Sequence, residues 1–177
     1  MFKGTNIQLR GFELEDAATI IKYYNNLDVR RFLDHPFPLS LQDAEAWIRN
    51  TWETSKKGKA YFFAIALKET NQLIGTCGLF ALSRINRKAE LMIVIYNKEY
   101  WGKGFGTEAI RLLLNYGFKQ LNLNRILLFS HDDNTRAQHI YEKIGFKPGG
   151  KRRQASYFEG AYHDLLLYDL LASEFQE

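Results

Sequence analysis

Two kinds of hydrophobic spacing alternate along the first hundred residues of the chain. Apolar residues recur at helical intervals in two segments, which predicts helices at 16–25 and at 41–56, with Ser40 as the N-cap of the second. Four other segments are short, apolar and bounded by polar turn residues, which is typical of strands. The predicted strands are 7–10, 61–67, 73–82 and 89–96. Short polar turns separate the last three, so we expect them to form an antiparallel meander.

The pattern changes after residue 96, where strands and helices begin to alternate. A loop at 97–106 is followed by a predicted helix at 107–120, a buried strand at 125–130 and a helix at 134–143. Two last strands, near 146–158 and 162–170, flank a turn at Glu159-Gly160. The chain therefore predicts an α+β fold in one domain over residues 1–177. We expect a mixed, mostly antiparallel sheet of about seven strands, flanked by about four helices.

Composition narrows the class of protein. Of the 177 residues, 46% are hydrophobic and 25% are charged, which is typical of a globular domain. The longest apolar run, 60–67, is far shorter than the roughly 18 residues of a membrane span, so no membrane association is expected. The single cysteine, Cys77, and the absence of a secretory signal predict a cytoplasmic location. The net charge of +4 allows an anionic ligand, but it is too small to predict nucleic-acid binding.

The loop at 102–106 reads G-K-G-F-G and lies between a buried strand and a helix. Such a turn can direct several backbone N–H groups, together with the positive end of the helix, at one phosphate or pyrophosphate. Its spacing does not match the dinucleotide motif G-x-G-x-x-G, and no Walker motif is present. A glycine-rich turn that only connects strand to helix remains the alternative.

A second motif at 134–146 reads N-T-R-A-Q-H-I-Y-E-K-I-G-F. Asn134 and Tyr141 are two helical turns apart and lie on one side of the predicted helix, which Gly145 ends. Together the two motifs resemble the Q/R-x-x-G-x-G/A and N-x-x-A-x-x-x-Y-x-K-x-G-F signatures of the GNAT superfamily of acyl-CoA N-acyltransferases. Within it, the chain is most similar to the ribosomal-protein, polyamine and amino-sugar acetyltransferases. The resemblance implies a sheet with a V-shaped split, acetyl-CoA as cosubstrate, and direct transfer of an acetyl group to a primary amine.

The resemblance also implies which residues bind the cofactor. In the family, a bulged strand pairs through its backbone with the pantetheine arm, and here that strand contains Ile93, Val94 and Ile95. The pyrophosphate would lie against the glycine loop and the helix start, comprising Trp101, Gly102, Lys103, Gly104, Phe105, Gly106 and Thr107. Asn134 and Ala137 would contact the cofactor from the second motif, although Asn134 is also expected as a plain N-cap.

One position departs from the signature. Trp101 stands where the family has Gln or Arg, so no side-chain donor or cation is expected there. Backbone amides must then supply most of the pyrophosphate binding. Lys103 either assists them or is a solvated loop lysine.

Two residues are candidates for the chemistry. The motif places Tyr141 as the acid that protonates the leaving thiolate, and a phenol with a pKa of about 10 suits that role. Its alternative is a tyrosine packed in the core. Glu90 is spaced like the general base of histone-type members, and burial on an apolar strand would raise its pKa. An exposed glutamate at a strand start, with a water chain as the base, is the alternative.

The acceptor is expected over residues 25–39 and near the last hairpin, at 157–163. Both segments are aromatic and polar, and the first carries Arg30-Arg31 instead of an acidic cluster, which favours an acceptor with an anionic or neutral body over a polyamine. Candidate acceptors are an amino sugar, a protein N-terminus, a polyamine or another small amine. The scattered histidines predict no metal ion, and the resemblance allows a homodimer. A non-catalytic acyl-CoA sensor and a small RNA- or ribosome-associated protein are the rival functions.

Overall fold

The computed structural model describes residues 2–30 and 38–176. The expectations for the acceptor segment at 31–37 therefore lie outside the described residues. Within the described ranges the chain forms eight strands: β1 (Phe2–Lys3), β2 (Ile7–Arg10), β3 (Tyr61–Leu67), β4 (Leu73–Ser83), β5 (Lys88–Ile95), β6 (Arg125–His131), β7 (Lys147–Phe158) and β8 (Ala161–Leu171). The same ranges contain five α-helices: α1 (Asp16–Tyr24), α2 (Leu27–Arg30), α3 (Leu41–Lys56), α4 (Phe105–Asn115) and α5 (Thr135–Ile144).

The strands form one open sheet with the order β1-β2-β3-β4-β5-β6-β8-β7. Neighbouring strands are antiparallel except β5 and β6, which are joined through α4 and run parallel. Their pairing covers only Lys88–Glu90 against Arg125–Leu127, although β5 continues to Ile95 and β6 to His131. The two strands therefore diverge beyond Glu90 and Leu127, and we call the gap between them the split. This is the V-shaped opening that the sequence resemblance implied.

Helices cover both faces of the sheet. On one face, α4 and α5 pack against β5 and β6 through buried side chains such as Leu113, Leu91, Leu128 and Tyr141. On the other face, α1 and α3 pack through a second cluster that includes Ala17, Ile48 and Ala64. Because side chains alternate along a strand, consecutive residues of β5 and β6 face different helix layers at the split.

Local signals account for most of these elements. Ser40 and Asp43 form a capping box at the start of α3, where Ser40 Oγ accepts a hydrogen bond from the Asp43 N–H. At Glu159-Gly160 both residues have positive φ, 50° and 81°, as a two-residue hairpin turn requires. In front of α1, Arg10 donates to both carboxylate oxygens of Asp16, at 2.7 and 2.9 Å, which fixes β2 to the helix.

Several predicted details differ from the structure. The sheet has eight strands among the described residues instead of about seven, because the two-residue strand β1 is too short to have a periodicity. The helix predicted at 107–120 begins at Phe105 and continues beyond Asn115 as the π-helical turn Tyr116–Gln120. The short helix α2 was not predicted. No helix in the described part of the chain combines the length and the hydropathy needed to cross a bilayer.

Candidate active site

A cavity of about 450 Å³ lies in the split, between the glycine loop and α5. Its volume is in the range of small-molecule binding sites. Of the residues predicted for the site, Glu90, Ile93, Val94, Ile95, Trp101, Gly102, Gly104, Phe105, Gly106, Thr107, Asn134, Ala137 and Tyr141 all line it. Lys103 does not line the cavity, and its Nζ lies 6.0 Å from the centre of the Tyr100 ring. The structure therefore brings residues from two separate motifs to one concave surface.

Backbone N–H groups at the end of the glycine loop lie at this cavity without a hydrogen-bond partner in the helix. Gly102 and Gly104 have φ of 74° and 83°, in the left-handed region that L side chains rarely adopt. Gly104 is the N-cap of α4 and supplies no side-chain acceptor, and the first intrahelical bond is made by the N–H of Glu108. The N–H groups of Phe105, Gly106 and Thr107 thus have no partner within the helix, and they lie at its positive end. This arrangement can bind a phosphate group.

Trp101 replaces the expected donor with a different contact. Its indole N–H donates to the carbonyl of Ile95 at 2.9 Å, so the ring lies against the end of β5. The guanidinium of Arg136, in the first turn of α5, stacks on this ring at 3.8 Å. Arg136 lines the cavity, and partial burial lowers its pKa. Sequence spacing does not indicate this contact, because Arg136 belongs to the second motif and lies 35 residues from Trp101.

The surroundings of Arg136 favour a bound anion. Arg136 lies near the N-terminus of α5, where the helix dipole disfavours positive charge. Among the described residues, no carboxylate forms an ion pair with it. Desolvation and the helix dipole both act against the charged form, and a bound anion would offset both effects.

The backbone of β5 is only partly free to bind a ligand in the split. The N–H of Tyr96 donates to the carbonyl of Ile74 on β4, and the register to β4 is unbroken back to Glu90. Because peptide groups of an antiparallel strand alternate in direction, those of Val94 face β4, whereas those of Ile93 and Ile95 face the split. The carbonyl of Ile95 already accepts the Trp101 indole N–H. Ile93 is therefore the residue of the predicted trio with the freest peptide groups.

This register corrects two expectations. The backbone of Val94 does not face a ligand in the split, so only its side chain lines the cavity. The expected bulge is also absent from residues 93–95. A bulge occurs on β4 instead, between Phe80 and Ser83, where Ala81 has a φ of 49°.

The second motif places its polar residues along the cavity wall formed by α5. Asn134 is the N-cap of α5, and its Oδ1 accepts from the N–H of Ala137 at 3.3 Å. Tyr141 is 9% exposed, and burial raises its pKa to about 12. Its ring packs against Phe146 and Tyr168. Tyr141 is therefore packed in the core, which was the alternative expected from the sequence, and it also lines the cavity.

Glu90 approaches the split from the other face of the sheet. Its neighbours Ala89 and Leu91 point into the core below α4 and α5, so the Glu90 side chain points to the α1–α3 face. Burial raises the pKa of Glu90, and Arg152 acts in the opposite direction. The side chains around it on the cavity wall are mainly apolar and include Phe80, Met92 and Phe129. Sequence spacing could not indicate Phe80 and Phe129, because strand pairing alone brings them beside Glu90.

Known proteins resemble this chain in sequence and fold. The family model described as "Acetyltransferase (GNAT) domain" matches residues 6–147. The chain belongs to the GNAT acetyltransferases. An uncharacterized N-acetyltransferase, p20 of Bacillus licheniformis, is 32% identical over 169 residues, which are 96% of this chain and 94% of that protein. The putative ribosomal N-acetyltransferase YdaF of Bacillus subtilis is 40% identical over 104 residues, covering 59% and 56% of the two chains.

Among solved structures, spermidine N-acetyltransferase from Vibrio cholerae, in complex with CoA and spermine, superposes with a TM-score of 0.85. It is 28% identical and covers 96% of this acetyltransferase and 97% of its own chain. The family and fold predicted from the two motifs are thus confirmed, and the reaction of this enzyme is the transfer of an acetyl group to an amine. The roles of the individual site residues stay predictions.

Proposed function

We propose that this N-acetyltransferase binds acetyl-CoA in the split and moves its acetyl group directly to a primary amine. The amine enters from the α1–α3 face, and the cofactor lies on the side of α4 and α5. The observation that carries the proposal is the placement of Glu90 and Tyr141. Both line one cavity but approach it from opposite faces of the sheet.

The cofactor's phosphates fit the glycine loop and α5. The free N–H groups at the start of α4 bind pyrophosphate oxygens, and Arg136, oriented by Trp101, supplies the cation that the family signature would place in the loop. The amide side chain of Asn134 caps α5 with its oxygen and keeps its N–H₂ group for the ligand. The carbonyl of Ile93 accepts from the pantetheine arm, and the side chain of Ala137 packs along it. The N–H of Ile93 is kept for the reacting carbonyl oxygen, and the side chain of Val94 lines the cavity from the α1–α3 face.

The two faces of the sheet separate the acid from the base. Direct transfer requires the amine to lose a proton where it attacks and the thiolate to gain one where it leaves. Glu90, with its raised pKa, accepts the amine's proton through water. Tyr141 remains protonated at neutral pH and donates to the sulfur. Burial also raises the pKa of the leaving thiol, which keeps the phenol competent as its acid.

The proposed step conserves atoms and charge. The amine nitrogen forms a bond to the thioester carbon, and the carbonyl oxygen takes up negative charge, which the N–H of Ile93 stabilises. Collapse of this intermediate breaks the carbon–sulfur bond and yields an amide and CoA. One proton passes from the amine to Glu90, and one passes from Tyr141 to sulfur. Solvent then returns both residues to their starting states.

Other properties belong to the same proposal. No step requires a metal ion, although Asp132, Asp133 and His163 lie close together at the surface. Cys77 is fully buried, and its burial raises the pKa of the thiol, so it is a core residue. A reduced cysteine suits the cytoplasm, where we place the enzyme. A homodimer is compatible with these features and is not required for the site.

The test is CoA release from acetyl-CoA with a panel of primary amines, comparing the wild type with Tyr141→Phe. We expect turnover to fall about 10²- to 10⁴-fold, as for loss of a general acid, while the Kd for CoA stays within about twofold. Tyr168→Phe is the matched control, because that hydroxyl donates to Glu142 and does not line the cavity. Equal turnover in Tyr141→Phe and wild type would refute the acid assignment. CoA binding by the wild type without acetylation of any amine would favour the sensor.

A further inference from the structure

A cation lies near Glu90 on the α1–α3 side of the sheet, at the edge of the cavity. Arg152 itself is exposed and does not line the cavity. The guanidinium of Arg152, on β7, lies 4.0 Å from the centre of the Phe129 ring on β6. Phe129 and Glu90 both line the cavity. Leu127 pairs with Glu90 across the parallel rung, so Phe129, two residues further along β6, points to the same face as Glu90. The Arg152 guanidinium therefore lies over the same side of the split as the proposed base.

The sheet holds Arg152 in this position. Arg152 is opposite Leu165 of β8, and its side chain reaches across β8 to β6. The next three residues of β7 form a bulge, which Asp164 stabilises by accepting from the N–H of Gln154 at 2.8 Å and from Lys151 Nζ at 2.6 Å. Bulges of this kind re-aim side chains near binding sites. Arg152 is the last regularly paired residue of β7 before this bulge.

The charge of Arg152 is not neutralised by an ion pair with a carboxylate of the described residues. Its charge lowers the pKa of Glu90 through space. The side chains around Glu90 on the cavity wall are mainly apolar and include Phe80, Met92 and Phe129, and His131 lines the same cavity. The wall therefore presents one carboxylate and aromatic surface, and the Arg152 guanidinium covers the Phe129 ring at its edge.

Resting on the proposed function, we infer that the acceptor is an amine that also carries an anionic group, a phosphate or a carboxylate, which Arg152 binds while the amine faces Glu90. A planar guanidinium backed by an aromatic ring suits both anions. A polycation such as spermidine has no partner for Arg152 and would be repelled by it. On this ground the enzyme differs in acceptor class from its spermidine-acetylating structural relative.

The experiment compares matched acceptors on the alkaline plateau of each variant's pH–rate profile, so that a change in the protonation of Glu90 does not enter the comparison. Two pairs test a phosphate: glucosamine 6-phosphate against glucosamine, and phosphoethanolamine against ethanolamine. The third pair tests a carboxylate: a peptide whose second residue is acidic against the peptide that has the corresponding amide at that position. Spermidine is the polycationic member. We expect the anionic member of at least one pair to have a kcat/KM tenfold or more above its neutral counterpart. The phosphate pairs and the peptide pair distinguish the two anions.

Variants then assign the preference to one side chain. Arg152→Gln should remove at least tenfold from kcat/KM for the anionic member and leave the neutral member within about twofold. Arg153→Gln removes the same charge from the adjacent position of the bulge and should change neither. A wild type that prefers neutral or polycationic amines, or an Arg152→Gln variant that loses both members equally, overturns this inference alone. Release of no CoA with any amine overturns the proposed function and this inference together.

Discussion

Arg136 provides the sharpest test of how the cofactor is bound. Its guanidinium is partly buried, stacks on Trp101 at 3.8 Å, and forms no ion pair with a carboxylate among the described residues. A hydrogen bond to a charged group contributes about 1.5–3 kcal/mol. Since about 1.4 kcal/mol corresponds to tenfold in Kd, Arg136→Met should weaken CoA binding about 10- to 150-fold. Methionine retains an unbranched apolar stem, so the packing on Trp101 is largely kept.

The assay is calorimetric titration of each variant with CoA, dephospho-CoA and pantetheine. Pantetheine has no phosphate, so its affinity should be the same for the wild type and for Arg136→Met. Dephospho-CoA keeps the pyrophosphate and lacks the 3′-phosphate, so it shows which phosphate Arg136 contacts. Arg111→Met, on α4, is the matched control, because Arg111 donates to the carbonyl of Gln176 and does not line the cavity.

The stacking itself can be measured in a double-mutant cycle. Trp101→Leu removes the ring and, with it, a cation–π contribution of about 0.5–2 kcal/mol. If Trp101 acts by orienting Arg136, its replacement should cost much less affinity when Arg136 is already methionine. If Arg136→Met binds CoA within about twofold of the wild type, Arg136 does not bind the cofactor's phosphates. The same conclusion follows if the variant loses the same factor in affinity for pantetheine as for CoA.

Three further predictions follow from the geometry. Because burial raises the pKa of Glu90, kcat/KM should fall as the pH drops through that raised pKa. Glu90→Gln should abolish this acidic limb of the pH–rate profile. Arg152→Gln should move the limb to higher pH, because the charge of Arg152 lowers the pKa of Glu90. A pH–rate profile without any such limb would exclude Glu90 as the base. Gly104→Ala places a methyl group at a φ of 83°, which costs about 1–2 kcal/mol and should lower both the unfolding free energy and CoA affinity, as measured by denaturant titration and calorimetry. Asp16→Ala leaves the largely buried Arg10 without its carboxylate and should lower the free energy of unfolding in urea by about 3–5 kcal/mol. Glu53→Ala, at the exposed pair with Lys56, should leave the urea midpoint unchanged. Equal effects of the two substitutions would show that burial does not set the strength of these pairs.

Features that arise from neighbouring residues could be predicted from the amino-acid sequence. Ser40 caps α3, glycines with positive φ occupy the loop at 102–104, and Asn134 and Tyr141 share one side of α5. Each of these signals acts within one or two helical turns. For the same reason, the two motifs were sufficient to identify the family. They also located the residues that line one side of the cavity.

Contacts between residues on different strands and helices could be seen only in the folded protein. The split exists because β5 and β6 pair over three residues and then diverge, and no local pattern reports where a pairing stops. Register directs the peptide groups of Val94 away from the split and places Glu90 on the face opposite Tyr141. The Arg136–Trp101 stack and the Arg152–Phe129 contact join residues far apart in the chain. In the sequence, Arg136 and Arg152 cannot be distinguished from ordinary solvated arginines, because their aromatic partners come close only when the strands and helices pack together.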